Sequence, residues 1–539
     1  MSKWHWVMKM KNNIMIYQYD IKNKRNCIQI LQELQKDFPV YIREIQRIVN
    51  IILRFKNKNI TIIAEAQYVD KQYRDSYYSY FSQKYSEYER NCLRLAFFEG
   101  KINQENFADI FFDLENIFIG TIVLRPLTVG NIGQTLLNPQ KLNIKGYFRT
   151  CNFRVMIYGR KLNIEAFPYS SQDGETMSCA ETALFNLIYY YGEKYSEYRV
   201  LMLSDILQEI ERESAERVLP SDGLYEANIA KVLADAHFYP KIYSDQKGLE
   251  FILYTYIESG IPLLLNIPEH VVSCVGHGLV KNNLKNSWLR RLSQKQTIKE
   301  TDYYFLSTAQ LCDEYIVMDD NEPPYYKTSL KHIIQRYGCT GEASEEQKLN
   351  EQISIIVPLY RRIFMDAARA ENIMKSFFLE NYIFLSEIRR AYDDKEWGSE
   401  GKNPFVWRMY LTASKSYKAF KVKNISNKML KYFYMEYPFP RFIWILEIGT
   451  ISEYRNSKAR VEVLLDATSS PYSETRGILS VGYKDHFIFV PEIVKELLKN
   501  GIQKDIFLTK IFNMLYTLEN NLFDETFETY TDSNLERNF

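Results

Sequence analysis

The order of helix and strand patterns between residues 168 and 335 constrains the fold of this chain most. A polar loop, SSQDGETMS, leads into the apolar run CAETALFNLIYYYGEKY, whose length and composition favour a helix. Three short aliphatic runs follow and predict strands: IPLLL at 261–265, HVVSCVG at 270–276 and YIVMD at 315–319. A helix that begins at a cysteine and is followed by a strand-rich half predicts an α+β domain.

Two further regions flank this one and also mix helix and strand patterns. In the first, residues 25–57 show a 3.6-residue apolar period, the Tyr-rich stretch 68–98 is predicted to be helical, and IGTIVLR at 119–125 predicts a strand. ISIIVPL, near residue 353, opens the second flanking region, and the acidic tail 518–539 is predicted to fray. The predicted division is 1–167, 168–345 and 346–539, with α+β flanks on a central α+β domain.

Charge and cysteine usage exclude several classes of protein. Lys plus Arg number 68 and Asp plus Glu number 67, so the chain lacks the basic footprint of a nucleic-acid binder. Seven cysteines, an odd number without any CxxC pair, suggest neither a zinc ribbon nor a disulfide framework. With neither a signal peptide nor an apolar run long enough to span a bilayer, we expect a cytoplasmic protein that does not contact membranes.

Cys179 is the first candidate for chemistry. It lies where the polar loop becomes the apolar helical run, and the start of a helix lowers the pKa of a thiol through its partial positive charge. Gln172 lies seven residues earlier, and a side-chain amide together with the backbone N–H of the nucleophile makes a workable oxyanion hole. Taken alone, Cys179 is more simply a small buried hydrophobe at a helix start.

His270 and Asp319 are the second and third candidates. His270 opens a predicted strand, from which its imidazole can point across a cleft at a helix start. The strand YIVM ends in Asp319, and a carboxylate there can accept from the second ring nitrogen of His270 and fix its tautomer. Asp320 and Asn321 follow directly and are alternative orienting groups, although Asp-rich turns after strands are common.

Together these pieces resemble the papain-like cysteine peptidases over about residues 168–335. HVVSCVGH resembles the papain pattern H-A-V-x-x-V-G-Y, with His270 in the catalytic place and His277 in the Tyr place. Gln172 ahead of Cys179 resembles the Gln…Cys pair of that superfamily, with a spacing one residue longer than usual. The strand that ends in Asp is similar to the bacteriocin double-glycine-leader peptidases, whose third residue is Asp. The resemblance implies a papain-like core, a Cys179–His270–Asp319 triad and Gln172 in the oxyanion hole.

The predicted chemistry is acyl transfer to water through a thioester, without a metal or cofactor. Cys179 attacks an amide of a protein or peptide, His270 takes and returns the proton, and Asp319 orients His270. Such an enzyme could act as a bacterial effector or defence protease that is inactive until an activating protein binds. Two alternatives stay open: a non-catalytic interaction protein on the same fold, and a deamidase or transglutaminase-like acyltransferase that shares the triad.

Two other features of this region carry possible functions. His270, Cys274 and His277 have the i, i+4, i+7 spacing of metal ligands on a helix, but three valines and two glycines make HVVSCVGHG a poor helix former. A basic insertion at 281–312 is predicted either to lie beside the cleft as a lid or to be a solvated excursion. Its basic residues are Lys281, Lys285, Arg290, Arg291, Lys295 and Lys299.

Overall fold

The protein is a mixed α+β structure, described here from a computed structural model. The structure describes residues 14–102, 114–157, 159–213, 218–220, 223–244, 248–268, 270–278, 286–298, 301–337, 353–380, 404–470, 477–483, 486–491, 527–529 and 535–538. Within these residues the sheets are antiparallel apart from one parallel strand pair. None of the described helices is both long and apolar enough to cross a bilayer.

The N-terminal region is an antiparallel sheet whose strands pair in chain order, with helices packed into the same core. Its elements are β1 (Ile14–Asp20), α1 (Lys24–Asp37), α2 (Ile45–Ile52), β2 (Asn59–Tyr68), α3 (Lys71–Ser79), β3 (Cys92–Glu99), α4 (Leu114–Ile117), β4 (Phe118–Leu124) and β5 (Ile132–Leu137), followed by β6 (Gly146–Arg149), β7 (Cys151–Ile157) and β8 (Arg160–Ala166).

Residues 25–57, which show the helical period, form two helices, α1 and α2, because Pro39 disfavours helical backbone at Phe38, directly after α1. One prediction for this region needs correction. The stretch 68–98 is helical only at its start, and its last part is strand β3. This strand is buried along almost its whole length, so its continuous apolar run lacks the alternation that distinguishes a strand from a helix.

The central region holds a second sheet in the order β15-β14-β11-β10-β16-β9, and β6 and β24 extend it beside the end of β11. Its elements are α5 (Cys179–Lys194), α6 (Leu203–Glu213), α7 (Glu226–Asp235), β9 (Tyr239–Ser244), α8 (Leu249–Glu258), β10 (Leu263–Ile267), β11 (His270–His277), α9 (Asn286–Leu292), β12 (Gln294–Ile298), β13 (Thr301–Ser307), β14 (Tyr315–Met318), β15 (Tyr326–Thr328), α10 (Leu330–Tyr337) and β16 (Ser354–Leu359).

Both faces of the central sheet are covered, which explains the aliphatic runs of its strands. Along β11, Val271 and Val275 lie in the core that contains α5, whereas Val272 and Cys274 lie in the core that contains α8. A hydrogen bond from Ser273 Oγ to the carbonyl of Ala183 (3.1 Å) joins β11 to α5 directly. This packing fixes the start of α5 over the start of β11.

The third sheet has the order β12-β13-β17-β18-β20-β21-β22. Its remaining elements, and those that follow it, are α11 (Ala367–Glu380), β17 (Phe405–Ala413), α12 (Ser414–Asn424), α13 (Lys428–Glu436), β18 (Phe442–Gly449), α14 (Ile451–Arg455), β19 (Lys458–Ala459), β20 (Val461–Asp466), β21 (Ile478–Tyr483), β22 (His486–Phe489), β23 (Phe527–Glu528) and β24 (Leu535–Asn538).

Three segments pair across the region boundaries that the sequence predicts. ISIIVPL contains β16, which lies inside the central sheet between β10 and β9 and does not open the third sheet. In the acidic tail that was expected to fray, β24 pairs with β6.

The third segment is the basic insertion, which forms an edge of the third sheet. Strand β13 pairs in parallel with β17, and Leu289, Leu306 and Leu311 are buried together with Val406. The described part of the insertion is therefore not a solvated excursion, because its apolar residues pack into a core, and its place beside the cleft stays a prediction. Lys281, Lys285, Lys299 and the side chain of Arg290 lie outside the described residues.

Candidate active site

Cys179 begins helix α5 and is partly exposed. Ser178 caps the helix: its Oγ accepts from the backbone N–H of Ala180, and its own N–H donates to the carboxylate of Glu181 at 3.0 Å. The other cysteines among the described residues are all buried. Cys179 thus combines access to solvent with a position at the electropositive end of a helix.

His270 lies at the start of β11, between Cys179 and a carboxylate, and is 4% exposed. Its Nε2 is 3.1 Å from Oδ1 of Asp319, which leaves Nδ1 as the nitrogen for the Cys179 thiol. Burial lowers the pKa of His270, but hydrogen bonds to Asp319 and Cys179 outweigh burial and raise it to about 10. At neutral pH His270 is therefore an imidazolium with a partner at each ring nitrogen.

Asp319 follows β14 directly and is almost completely buried. Besides His270, its Oδ1 accepts from the backbone N–H of Asn321 (2.9 Å), and its Oδ2 accepts from the hydroxyl of Tyr337 (2.7 Å). Burial acts to raise the pKa of Asp319, but these donors, above all His270, hold it below its usual value. Asp319 is accordingly a carboxylate with both oxygens engaged.

Tyr337 is a component of the site that the sequence analysis missed. Its ring stacks on the imidazole of His270, with centroids 3.9 Å apart and planes 23° from parallel, while its hydroxyl binds Asp319. It is the last residue of helix α10, well beyond the strand that ends at Asp319. The sequence around it, KHIIQRYG, carries no pattern that marks a catalytic tyrosine.

Asp320 also faces His270 but makes no comparable hydrogen bonds. Its Oδ1 is 3.6 Å from Nε2 of His270, and neither carboxylate oxygen has a hydrogen-bond partner of normal geometry among the described residues. Burial raises the pKa of Asp320 to about 6, although His270, Arg47 and the backbone N–H of Gln172, which faces the carboxylate, act to lower it. Asp320 and Cys179 line the same narrow recess.

Gln172 is half-buried, and its backbone lies against Asp320. The loop between Gln172 and Cys179 is wound around Asp173, whose Oδ1 accepts from the backbone N–H groups of Glu175, Thr176 and Met177 at 3.0, 2.7 and 2.9 Å. This compact turn accommodates the additional residue between Gln172 and Cys179. The oxyanion role of the Gln172 side chain stays a prediction.

A buried arginine holds this loop from the N-terminal region. Arg125 donates to the carbonyls of Ser171 (2.7 Å) and Gly130 (3.0 Å). At Gly130 the backbone approaches so closely that a Cβ would lie 1.9 Å from the carbonyl oxygen of Gln172, and φ is +64°. Any side chain at Gly130 would therefore displace the loop that carries Gln172.

Two more arginines of the N-terminal region hold the segment after Asp319. Arg47, in α2, donates to the backbone carbonyl of Asp320, and Arg54 donates to the carbonyls of Pro324 and Tyr325, the latter at 2.7 Å. Since the peptide carbonyls of this turn accept from fixed cations, the turn that positions both aspartates is anchored to another part of the chain.

The rejected metal set at His270, Cys274 and His277 does not form, because β11 is a strand. His277 instead donates from Nε2 to Glu258 (2.7 Å) and from Nδ1 to the carbonyl of Gly278 (2.8 Å). Glu258 also pairs with Arg408 of the third sheet. With an acceptor at each ring nitrogen, His277 must carry two protons, and this buried imidazolium joins the central sheet to the third sheet.

Neither a family model nor a curated protein matches this chain. The structure brings Cys179, His270 and Asp319 together, with Asp320 and the backbone of Gln172 beside them. Asn321 contributes its backbone N–H to Asp319.

Proposed function

We propose that this protein is a cysteine hydrolase with a papain-like core that cleaves amide bonds in proteins or peptides. One observation carries the proposal: His270 lies between Asp319, at 3.1 Å, and the thiol of Cys179 at the start of a helix. Thiol hydrolases use this arrangement, in which the nucleophile contacts the base and the base contacts an orienting carboxylate.

The proposed reaction begins with the Cys179 thiolate and the His270 imidazolium. The thiolate attacks the substrate carbonyl carbon, and the backbone N–H of Cys179 and the amide of Gln172 stabilise the oxyanion. His270 gives its Nδ1 proton to the leaving amine as the C–N bond breaks, which leaves a thioester. His270 then takes a proton from water, whose oxygen attacks the thioester, and the acid product leaves as the Cys179–His270 pair is restored. Throughout, Asp319 accepts from Nε2–H and Tyr337 limits rotation of the ring.

The test is the rate of alkylation of Cys179 by iodoacetamide, with the modified residue identified by mass spectrometry. We expect selective modification of Cys179 in the wild type and a rate at least 10-fold lower in His270→Asn, because the thiolate loses its cationic partner. His237→Asn is the matched control, since His237 is an exposed histidine with a left-handed backbone that asparagine tolerates.

Equal rates in His270→Asn and the wild type would contradict the proposal. A deamidase or acyltransferase would pass this first test, because it shares the thiol chemistry. Products separate these classes: a peptidase generates new chain termini in a denatured protein substrate, a deamidase releases ammonia, and an acyltransferase joins an added amine to the substrate.

A further inference from the structure

The side chains of His270, Asp319 and Asp320 offer three donor atoms that all lie within 4.8 Å of one another, and all three residues are buried. Such a cluster is ordinary when every member is well hydrogen-bonded, but Asp320 is not. It is 5% exposed, yet neither of its oxygens has a hydrogen-bond partner of normal geometry among the described residues. Only longer contacts with His270 and with the backbone N–H of Gln172 compensate its burial. A buried carboxylate in this situation is costly, and a cation offsets this cost.

The distances suit a tetrahedral metal ion. Zinc binds histidine nitrogen and carboxylate oxygen at about 2.0–2.1 Å, so two ligands at the tetrahedral angle lie about 3.3 Å apart. In the protein, Nε2 of His270 is 3.1 Å from Oδ1 of Asp319 and 3.6 Å from Oδ1 of Asp320. These separations lie on either side of the tetrahedral value. A single Nε2–H, by contrast, can donate to only one of the two carboxylates.

We propose that His270, Asp319 and Asp320 bind a divalent cation, zinc in preference to magnesium, in a site that inhibits the enzyme. The preference follows from one imidazole and two carboxylates in a confined space, since magnesium needs octahedral coordination and keeps several waters. The Tyr337 hydroxyl on Oδ2 of Asp319 would orient that ligand, as outer-shell groups do at zinc sites.

Inhibition rests on the proposed function. On binding, a zinc–Nε2 bond forms and the Nε2–H bond breaks, and the proton goes to solvent. Asp319 then becomes a metal ligand and no longer orients the ring through Nε2–H. The remaining Nδ1–H of a zinc-bound imidazole is a weaker acid than that of an imidazolium, so His270 delivers its proton to a leaving amine less readily.

The site differs from the usual way in which zinc inhibits thiol enzymes, which uses the cysteine itself. Nδ1 of His270 faces Cys179, whereas the proposed ion lies on the Nε2 side, so Cys179 is not a ligand. Calorimetric titration of chelator-treated protein with zinc chloride distinguishes the two arrangements. We expect wild type and Cys179→Ala to bind one zinc with similar affinity, and Asp320→Asn to bind at least 10-fold more weakly.

Two controls accompany the titration. Asp20→Asn removes an exposed carboxylate of β1 and should leave zinc affinity unchanged, and magnesium chloride at the same concentrations should give no binding heat. Because Asp320→Asn removes a buried charge that has no hydrogen bond of normal geometry, the variant should fold, which thermal unfolding checks. Cobalt gives a second measurement: the cobalt-loaded protein should lack the near-ultraviolet charge-transfer band of a thiolate ligand.

Loss of zinc binding in Cys179→Ala with retention in Asp320→Asn would overturn the proposal, as would an absence of zinc binding in the wild type. The zinc-binding test does not require enzymatic activity, so its outcome is independent of the test of the proposed function. If Cys179 is unreactive but zinc binds as described, the metal site stands and the hydrolase proposal fails. If Cys179 reacts and zinc does not bind, the reverse holds.

Discussion

Replacement of His277 by glutamine should flatten the pH dependence of stability above neutrality. Both ring nitrogens of this buried residue face acceptors, so the folded protein needs the imidazolium. Burial lowers the pKa of His277, but hydrogen bonds to Cys312 and Glu258 prevail and raise it to about 10. A variant with glutamine at this position cannot hold that proton.

The sign of the change in stability with pH follows from proton linkage. The unfolded chain releases the proton near pH 6.5, whereas the folded protein keeps it up to about pH 10. The stability that His277 contributes is thus complete below pH 6.5 and is lost as the pH rises towards 10. The full difference corresponds to about 5 kcal/mol, of which about 2–3 kcal/mol is lost between pH 7 and pH 9.

Urea unfolding at pH 7, 8 and 9 measures this loss. The wild type should lose about 2–3 kcal/mol more than His277→Gln over that interval. His270 has a similarly raised pKa and adds a slope of the same sign, but it is present in both proteins and cancels in the comparison. The exposed His237, replaced by asparagine, should leave the wild-type slope unchanged. Equal slopes in His277→Gln and the wild type would mean that the folded protein holds no extra proton there, and the reasoning would fail.

Three further changes test the supports of the site. Tyr337→Phe keeps the ring on the imidazole but removes the hydroxyl that donates to Asp319. Alkylation of the thiol should therefore slow by up to about 5-fold, as about 1 kcal/mol for one hydrogen bond implies. Arg47→Met removes the cationic donor to the backbone carbonyl of Asp320, so both the alkylation rate and the stability should fall, the stability by about 1–3 kcal/mol. An unchanged alkylation rate at reduced stability would limit Arg47 to a structural role. Gly130→Ala should destabilise by more than Gly159→Ala in thermal unfolding, since both glycines have positive φ but only Gly130 has backbone within 2 Å of a Cβ; equal losses would show that φ alone sets the effect.

The candidate site was predictable where its residues mark the ends of local elements. A cysteine at the start of an apolar helix, a histidine at the start of a β-branched strand and an aspartate at the end of another are visible in short windows of sequence. Their meeting depends on the pairing of β11 with β10 and β14. Strands β10 and β11 are consecutive in the chain, whereas β12 and β13, which lie between β11 and β14, join the third sheet.

The supports of the site were not predictable, because they join distant parts of the chain. Arg47 and the carbonyl of Asp320 are separated by 273 residues, and Tyr337 reaches Asp319 from a separate helix. The region boundaries were missed for the same reason: β16 and β24 carry ordinary strand patterns, and nothing local specifies which sheet a strand joins. Asp320 is the sequence's alternative to Asp319. Asp319 lies closer to Nε2 of His270, at 3.1 Å against 3.6 Å, and it also accepts from Asn321 and Tyr337.

These long-range supports make the site a property of the whole chain and not of a detachable core. The turn with both aspartates is held by Arg47 and Arg54 from the N-terminal region, and the loop with Gln172 is held by Arg125. On the opposite side, His277 ties the histidine-bearing strand to Arg408 through Glu258. Each of these contacts sets a main-chain position that the Cys179–His270–Asp319 geometry depends on. A change that loosens either flanking region therefore reaches the site through Arg47, Arg54, Arg125 or Arg408.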